Sequence, residues 1–202
     1  WRGRLKGVSH DGVLIGDVSY RLAAPPLLLG RIAIDADSAN EALTGRAHLT
    51  IGSDGMEFRK VAAEFNLGAI RRYTFFGVRY QGLARLDADR LKLTAKECAA
   101  EAAALSTSAF EALTKNWSGG PFPLAGPIEC RDGAITVALD GEGADGKAAV
   151  GLTIRPDLTY AVRIAAEPRR RDVSRALQYF GFEEKGAGLS YEAAGVLKGL
   201  SS

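Results

Sequence analysis

Along most of this chain apolar and polar residues alternate with a period of two. That pattern, broken repeatedly by Gly-, Pro- and Asp-containing turns, limits the fold to strands with one dry face and one wet face. Ile32, Ile34 and Ala36 oppose Arg31, Asp35 and Asp37, and Leu43, Gly45, Ala47, Leu49 and Ile51 oppose Thr44, Arg46, His48 and Thr50. Strands are also predicted over Val13–Leu22, Met56–Phe65, Ile135–Leu139 and Leu189–Val196. The clearest hairpin joins Val150, Leu152 and Ile154 to Tyr160, Val162, Ile164 and Ala166 across a turn at Arg155-Pro156-Asp157-Leu158. Helical spacing appears only twice. Ser108 and Glu111 spell a capping box that opens a helix ending near Asn116, and Val173, Ala176, Leu177 and Phe180 mark a helix over Asp172–Tyr179, with Gly181 placed to cap it. Two short helices are too few for parallel βαβ units. The expected fold is therefore mainly β: residues 1–202 as one domain, a single strongly twisted and curved antiparallel sheet of about ten or more strands with two short helices.

The connections are less regular. Ala23-Ala24-Pro25-Pro26 reads as a rigid extended corner, Ser53-Asp54-Gly55 as a turn, and Asn66–Ile70 as a short helical turn before an aromatic segment holding Tyr73, Phe75, Phe76, Val78 and Tyr80. From Gly82 a strand is predicted to reach a turn at Asp87-Ala88-Asp89, and a second strand to run on towards Cys98. Ala99–Ala104 is ambiguous, helical by composition and strand-like by position. Asp140–Lys147 and Glu183–Gly188 read as loops.

One stretch, Asn116–Gly133, joins a helix end, a Gly- and Pro-rich loop, a strand and the Asp132-Gly133 hairpin turn. Within it Trp117, Pro121, Phe122, Pro123 and Gly126 read as a rigid structural corner. Cys130 lies in the same stretch, and the only other cysteine is Cys98. The pair fits either one disulfide in an oxidising compartment or two buried thiols in a reducing one.

Residue chemistry points away from catalysis. There is no G-x-S-x-G elbow and no C-x-x-C, and His10 and His48 have no ligand-spaced partners, so no catalytic residue, metal site or cofactor is expected. Asp87 and Asp89 are expected to be solvated at a turn tip rather than tuned for acid–base work. Gly141–Lys147 matches both G-x-G-x-x-G and G-x-x-x-x-G-K, but Ala148 stands where a phosphate loop needs Ser or Thr, and a strand follows where it needs a helix. A formal charge of +2, with basic clusters only at Arg71-Arg72 and Arg169-Arg170-Arg171, argues against nucleic acid; the triplet reads as the solvated first turn of a helix. No run of about 18 apolar residues is present to cross a bilayer.

The succession of short motifs resembles a known family, the N protein of the type II (general) secretion pathway. The resemblance rests on the opening Trp1-Arg2-Gly3-Arg4-Leu5 and on Gly16–Leu22 followed by Pro-Pro and Leu27–Ile32. It continues through Gly82-Leu83, Trp117, Leu124–Gly133 and Leu177-Gln178-Tyr179-Phe180-Gly181-Phe182. It implies a β-rich periplasmic domain behind a single N-terminal inner-membrane helix, and this sequence is expected to be the trimmed periplasmic part of such a protein. It further implies an accessory, non-enzymatic scaffold whose partners are other components of the secretion assembly, with no catalytic residue to carry over. A periplasmic setting favours the Cys98–Cys130 disulfide. The Gly-opened strands also resemble the AsmA and TamB group, which implies an alternative: a concave sheet that binds or transfers lipid or another apolar ligand. The two readings separate on whether the predicted helices Ser108–Asn116 and Asp172–Tyr179 cover the apolar face, and covering is expected.

Overall fold

The structure is a computed structural model of the chain and describes residues 1–10, 13–53, 55–69, 74–75, 78–79, 81–94 and 97–196. Asp11-Gly12, Asp54 of the expected turn, Arg71-Arg72 and the aromatic residues Tyr73, Phe76 and Tyr80 lie outside the described residues.

The chain forms β1 (Arg2–His10), β2 (Val13–Ala23), β3 (Ile32–Ala39), β4 (Leu43–Gly52) and β5 (Gly55–Asn66). A small hairpin of β6 (Thr74–Phe75) and β7 (Val78–Arg79) comes next, followed by β8 (Leu83–Thr94), β9 (Cys98–Glu101) and β10 (Ala104–Thr107). After helix α1 (Glu111–Thr114) come β11 (Leu124–Arg131), β12 (Ala134–Gly143), β13 (Gly146–Ile154) and β14 (Thr159–Pro168). Helix α2 (Arg171–Tyr179) precedes β15 (Glu183–Lys185) and β16 (Gly188–Val196). Fourteen strands build one open antiparallel sheet in the order β1-β2-β3-β4-β5-β8-β10-β11-β12-β13-β14-β16-β15, with β9 also paired to β8. The mainly antiparallel sheet with two short helices is thus as expected from the alternation and the scarcity of helical spacing.

Several local expectations are corrected. Residues 87–89 do not turn; β8 is one continuous strand. What looked like a turn is a change of phase. Ala84, Leu86 and Ala88 share the apolar face up to that point, and Leu91 and Leu93 take it over afterwards. Between the paired positions Arg59↔Arg90 and Val61↔Ala88, Lys60 and Asp89 are skipped. The same slip separates Met56 and Phe58 from Val61 and Ala63 in β5, and Cys98 and Ala100 from Ala103 and Leu105 across β9 and β10. Lys60 (φ 51°) and Ala102 (φ 45°) sit at the slip in the left-handed region. Because β5 and β8 both carry the extra residue, their mutual register is unbroken. β4 does not carry it, and its pairing with β5 shifts between Arg46 and His48. A row of extra residues across adjacent strands bends the sheet and adds twist.

Pro25-Pro26 opens a 3-10 helix (Pro25–Leu29) rather than an extended corner. The fixed proline φ suits a first helical turn, and Gly30 in the left-handed region ends it. Ser108 does not cap α1. Its hydroxyl accepts the Leu83 N–H at 3.0 Å instead, and the helix shrinks to four residues. Ala99–Ala104 resolves into the end of β9 and the start of β10 with Ala102-Ala103 as the break between them, because β8 offers a partner to both. The Asp140–Lys147 loop contracts to the turn at Ala144-Asp145 between β12 and β13, and Glu183–Gly188 becomes the β15–β16 hairpin. The helical turn at 66–70 is a 3-10 turn, Leu67–Ala69. Strand β1 had no counterpart in the sequence reading. Its Arg2, Arg4 and Lys6 alternate with Gly3, Leu5 and Gly7, and an edge strand needs few large apolar residues.

The core lies on one face of the sheet, in two adjoining groups. Val61, Ala88, Phe122, Leu124, Ile128, Val137 and Leu139 form the larger. Ile164, Ala166, Phe182 and Leu189 form the smaller, and Phe110 packs against both. Helices α1 and α2 lie over the C-terminal part of that face, bringing in Leu113 and Val173, both buried. Gly181, with φ 89°, follows α2, and its N–H bonds the Gln178 carbonyl.

Candidate interaction surfaces

The Asn116–Gly133 stretch meets the rest of the fold at three places. At its start the buried Thr114 hydroxyl donates to the Gly120 carbonyl at 2.7 Å, and the Gly119 N–H bonds back to the Thr114 carbonyl. Trp117 is half-buried just after α1. Phe122 is buried against Phe110, with ring centroids 5.9 Å apart, while Pro121 and Pro123 on either side are exposed. Next, Gly126 passes so close to β12 that a Cβ there would lie 1.7 Å from the Ala138 carbonyl oxygen. At its end Cys130 is joined to Cys98, with Cα atoms 5.9 Å apart. Pairing of β10 with β11 runs from Thr107↔Leu124 to Ala104↔Pro127, followed by one more bond from the Ile128 N–H to the Ala103 carbonyl. Beyond it β9 stays with β8 and β11 with β12, and the disulfide crosses the gap.

The glycines of the phosphate-loop lookalike have a packing reason. A Cβ on Gly141 would meet the Pro123 carbonyl at 2.3 Å, one on Gly143 the Pro121 carbonyl at 2.8 Å, and one on Gly146 the Glu167 carbonyl at 2.4 Å. The motif lets the Pro121–Pro123 corner and β14 approach β12 and β13. Asp145, at the hairpin tip between them, escaped the sequence reading. It is 3% exposed, and its Oδ2 accepts the Ser118 hydroxyl at 2.6 Å. Its Oδ1 lies 4.0 Å from the Arg170 guanidinium and has no hydrogen-bond partner among the described residues. The Asp145 carbonyl accepts the Arg169 N–H. This tip therefore ties the corner to the start of α2. Arg169 and Arg170 are paired rather than simply solvated: Arg169 bonds the Gly143 carbonyl and Glu142, and Arg170 holds Asp172.

The polar face of β2 to β8 carries an open groove of about 1130 Å³. Asp35, Asp37, Arg46, Lys60, Asp87 and Asp89 line it with charges of both signs. Asp87 and Asp89 are exposed, although they sit within a strand. Along the same face Arg90 bonds Glu57 (2.6 Å), Glu101 (2.9 Å) and Glu97 (3.1 Å), and Lys92 also holds Glu97. Partial burial pushes the Glu57 carboxyl up, but hydrogen bonds from Arg59 and Arg90 outweigh it and hold the group below the usual carboxylate range. Only the register could have revealed this cluster, since its members come from β5, β8, β9 and the connection before β9. His48 Nδ1 lies 2.7 Å from Asp35, and Nε2 lies 3.5 Å from the Thr50 hydroxyl. Among the described residues no group of three or more His, Cys, Asp or Glu converges as a metal ion requires.

The family model described as type II secretion system (T2SS), protein N, matches residues 1–190. The chain belongs to that family. As a T2SS protein N family member it is a component of the type II secretion system, an envelope-associated machine. No curated protein and no solved structure matches the chain. Among the described residues no helix is long and apolar enough to cross a membrane.

Proposed function

We propose that this chain is a non-enzymatic scaffold of the type II secretion system. It is anchored at the inner membrane and acts in the periplasm through protein–protein contacts. The observation that carries the reading is the family match over residues 1–190. The Cys98–Cys130 disulfide supports an oxidising compartment. The groove of mixed charge beside Asp37 and Arg46 supports contact with a protein surface of complementary charge. In this reading the corner at Trp117, Pro121, Phe122, Pro123 and Gly126 is architecture that holds the sheet in shape.

The lipid-groove alternative draws less support. The apolar hollow under α1 and α2 measures about 60 Å³, whereas sites for small organic ligands run to several hundred. Photo-crosslinkers placed at Asp37 and Arg46 in cells assembling the secretion system test the scaffold. Adducts with other secretion components are expected. Their absence, with adducts recovered only to unrelated proteins, would remove the scaffold reading, and a stoichiometric lipid on the purified chain would favour the alternative.

A further inference from the structure

The strand ends around the β2–β3 connection leave five large apolar side chains exposed. Leu28 and Leu29, on the 3-10 helix, are 89% and 78% exposed, and Trp1 is 79% exposed. Ile32 and Ile51, paired across β3 and β4, are 41% and 39% exposed. Trp1 belongs to this end because it exchanges backbone hydrogen bonds with Leu22, three residues before Pro25. The leucines ride on a turn stiffened by Pro25 and Pro26 and closed by Gly30. The backbone of the turn is already ordered, so burying the leucines costs mainly their side-chain rotamer entropy.

The charge around this tip is mostly positive, although Arg2 and Arg21 also line the mixed-charge groove with Asp35. Residues 1–10 and 18–34 contain Arg2, Arg4, Lys6, Arg21 and Arg31 and no Asp or Glu. Arg4 is paired with Asp17. Arg2 and Arg21 stand directly opposite each other in the β1–β2 register, and like charges so placed oppose pairing. Asp35, across from Arg21, is engaged by His48. Arg2, Arg21 and Arg31 are all exposed and form no ion pair among the described residues.

Protruding leucines and a tryptophan ringed by unpaired arginines match the boundary of an anionic bilayer, where apolar side chains enter the acyl region and guanidinium groups meet phosphates. A protein partner would more commonly meet a broad patch with charges of both signs. We infer that this end of the sheet docks on an anionic membrane surface, with Leu28, Leu29 and Trp1 entering the interface and Arg2, Arg21 and Arg31 on the headgroups. This goes beyond the scaffold reading, because it needs neither a secretion partner nor a membrane-spanning anchor.

Sedimentation with vesicles tests it on the purified chain. Binding is expected to vesicles of phosphatidylethanolamine with phosphatidylglycerol and to weaken with salt, with none to pure phosphatidylcholine. L28S/L29S should lower the partition coefficient by about tenfold or more, and R2Q and R31Q by on the order of fivefold each. These side chains are exposed, so the variants should keep the parental thermal midpoint. Failure of the parent chain to bind phosphatidylglycerol vesicles would overturn the proposal, and so would undiminished binding by L28S/L29S. A photo-crosslinker at Leu28 that captures a protein while vesicles are not bound would overturn it in favour of a protein contact. The Asp37 and Arg46 crosslinks report separately on the scaffold, so the two failures are distinguishable.

Discussion

Cys98 and Cys130 are joined at the point where β9 and β11 part company, so the covalent bond stands where the β10–β11 ladder has run out. Its sequence separation of 32 closes a loop worth roughly 3 to 4 kcal/mol by chain entropy. A C98A/C130A variant should unfold at lower urea concentration, and reductant should destabilise the parent but not the variant. Amides of β9 should exchange faster in both cases. Equal urea midpoints for parent and variant would show that the bond does not hold this junction.

Gly126 has no room for a side chain, since a Cβ would sit 1.7 Å from the Ala138 oxygen. Gly126→Ala must push β11 off β12 and is expected to cost about 1 to 3 kcal/mol or more. Gly151, whose nearest neighbour to such a Cβ is the Arg163 oxygen at 3.9 Å, is the control. Gly151→Ala should be neutral or slightly stabilising. Thermal unfolding of the two variants side by side reads the difference.

Asp145 carries the link between the corner and the hairpin tip. Asp145→Ala leaves the Ser118 hydroxyl without its acceptor and should cost about 1 to 3 kcal/mol. Ser118→Ala leaves the buried Asp145 Oδ2 without its hydroxyl donor and should cost at least as much. A double-mutant cycle measured by urea unfolding should give a coupling clearly different from zero; additive effects would mean that the bond does not connect the two segments.

The Glu57 carboxyl is held below its usual value of 4.5 in the folded chain. A carboxylate lowered on folding contributes stability that is present above the unfolded value and lost as pH falls through the folded one. Glu57→Gln should therefore reduce stability near neutral pH, by less than about 1 kcal/mol given solvent screening. The gap between parent and variant should close below about pH 4.5. Urea midpoints taken from pH 7 down to pH 3 check the sign.

How much of the fold was legible varies along the chain. Alternation located the strands of the β12–β14 meander, because each keeps a single phase from turn to turn. It failed in β8, where an inserted residue at Asp89 swaps the faces. A change of phase and a turn look alike when only one strand is in view. The capping box at Ser108 failed for a related reason: its hydroxyl found the Leu83 N–H, a partner 25 residues away. A strand follows the phosphate-loop lookalike, as its residues predict, but the purpose of its glycines appears only where the Pro121–Pro123 backbone lies across them.

The sequence by itself determined the fold class, since period-two patterning with few helical segments leaves an antiparallel sheet as the arrangement that buries one face. Its order of motifs also placed the chain in its family. Tertiary structure alone decided where the sheet bends and which charges meet across strands. It decided too that Asp145 is buried and that Leu28, Leu29 and Trp1 share one end with unpaired arginines. Those outcomes depend on register, and register is set jointly by neighbouring strands, so no single segment holds the information.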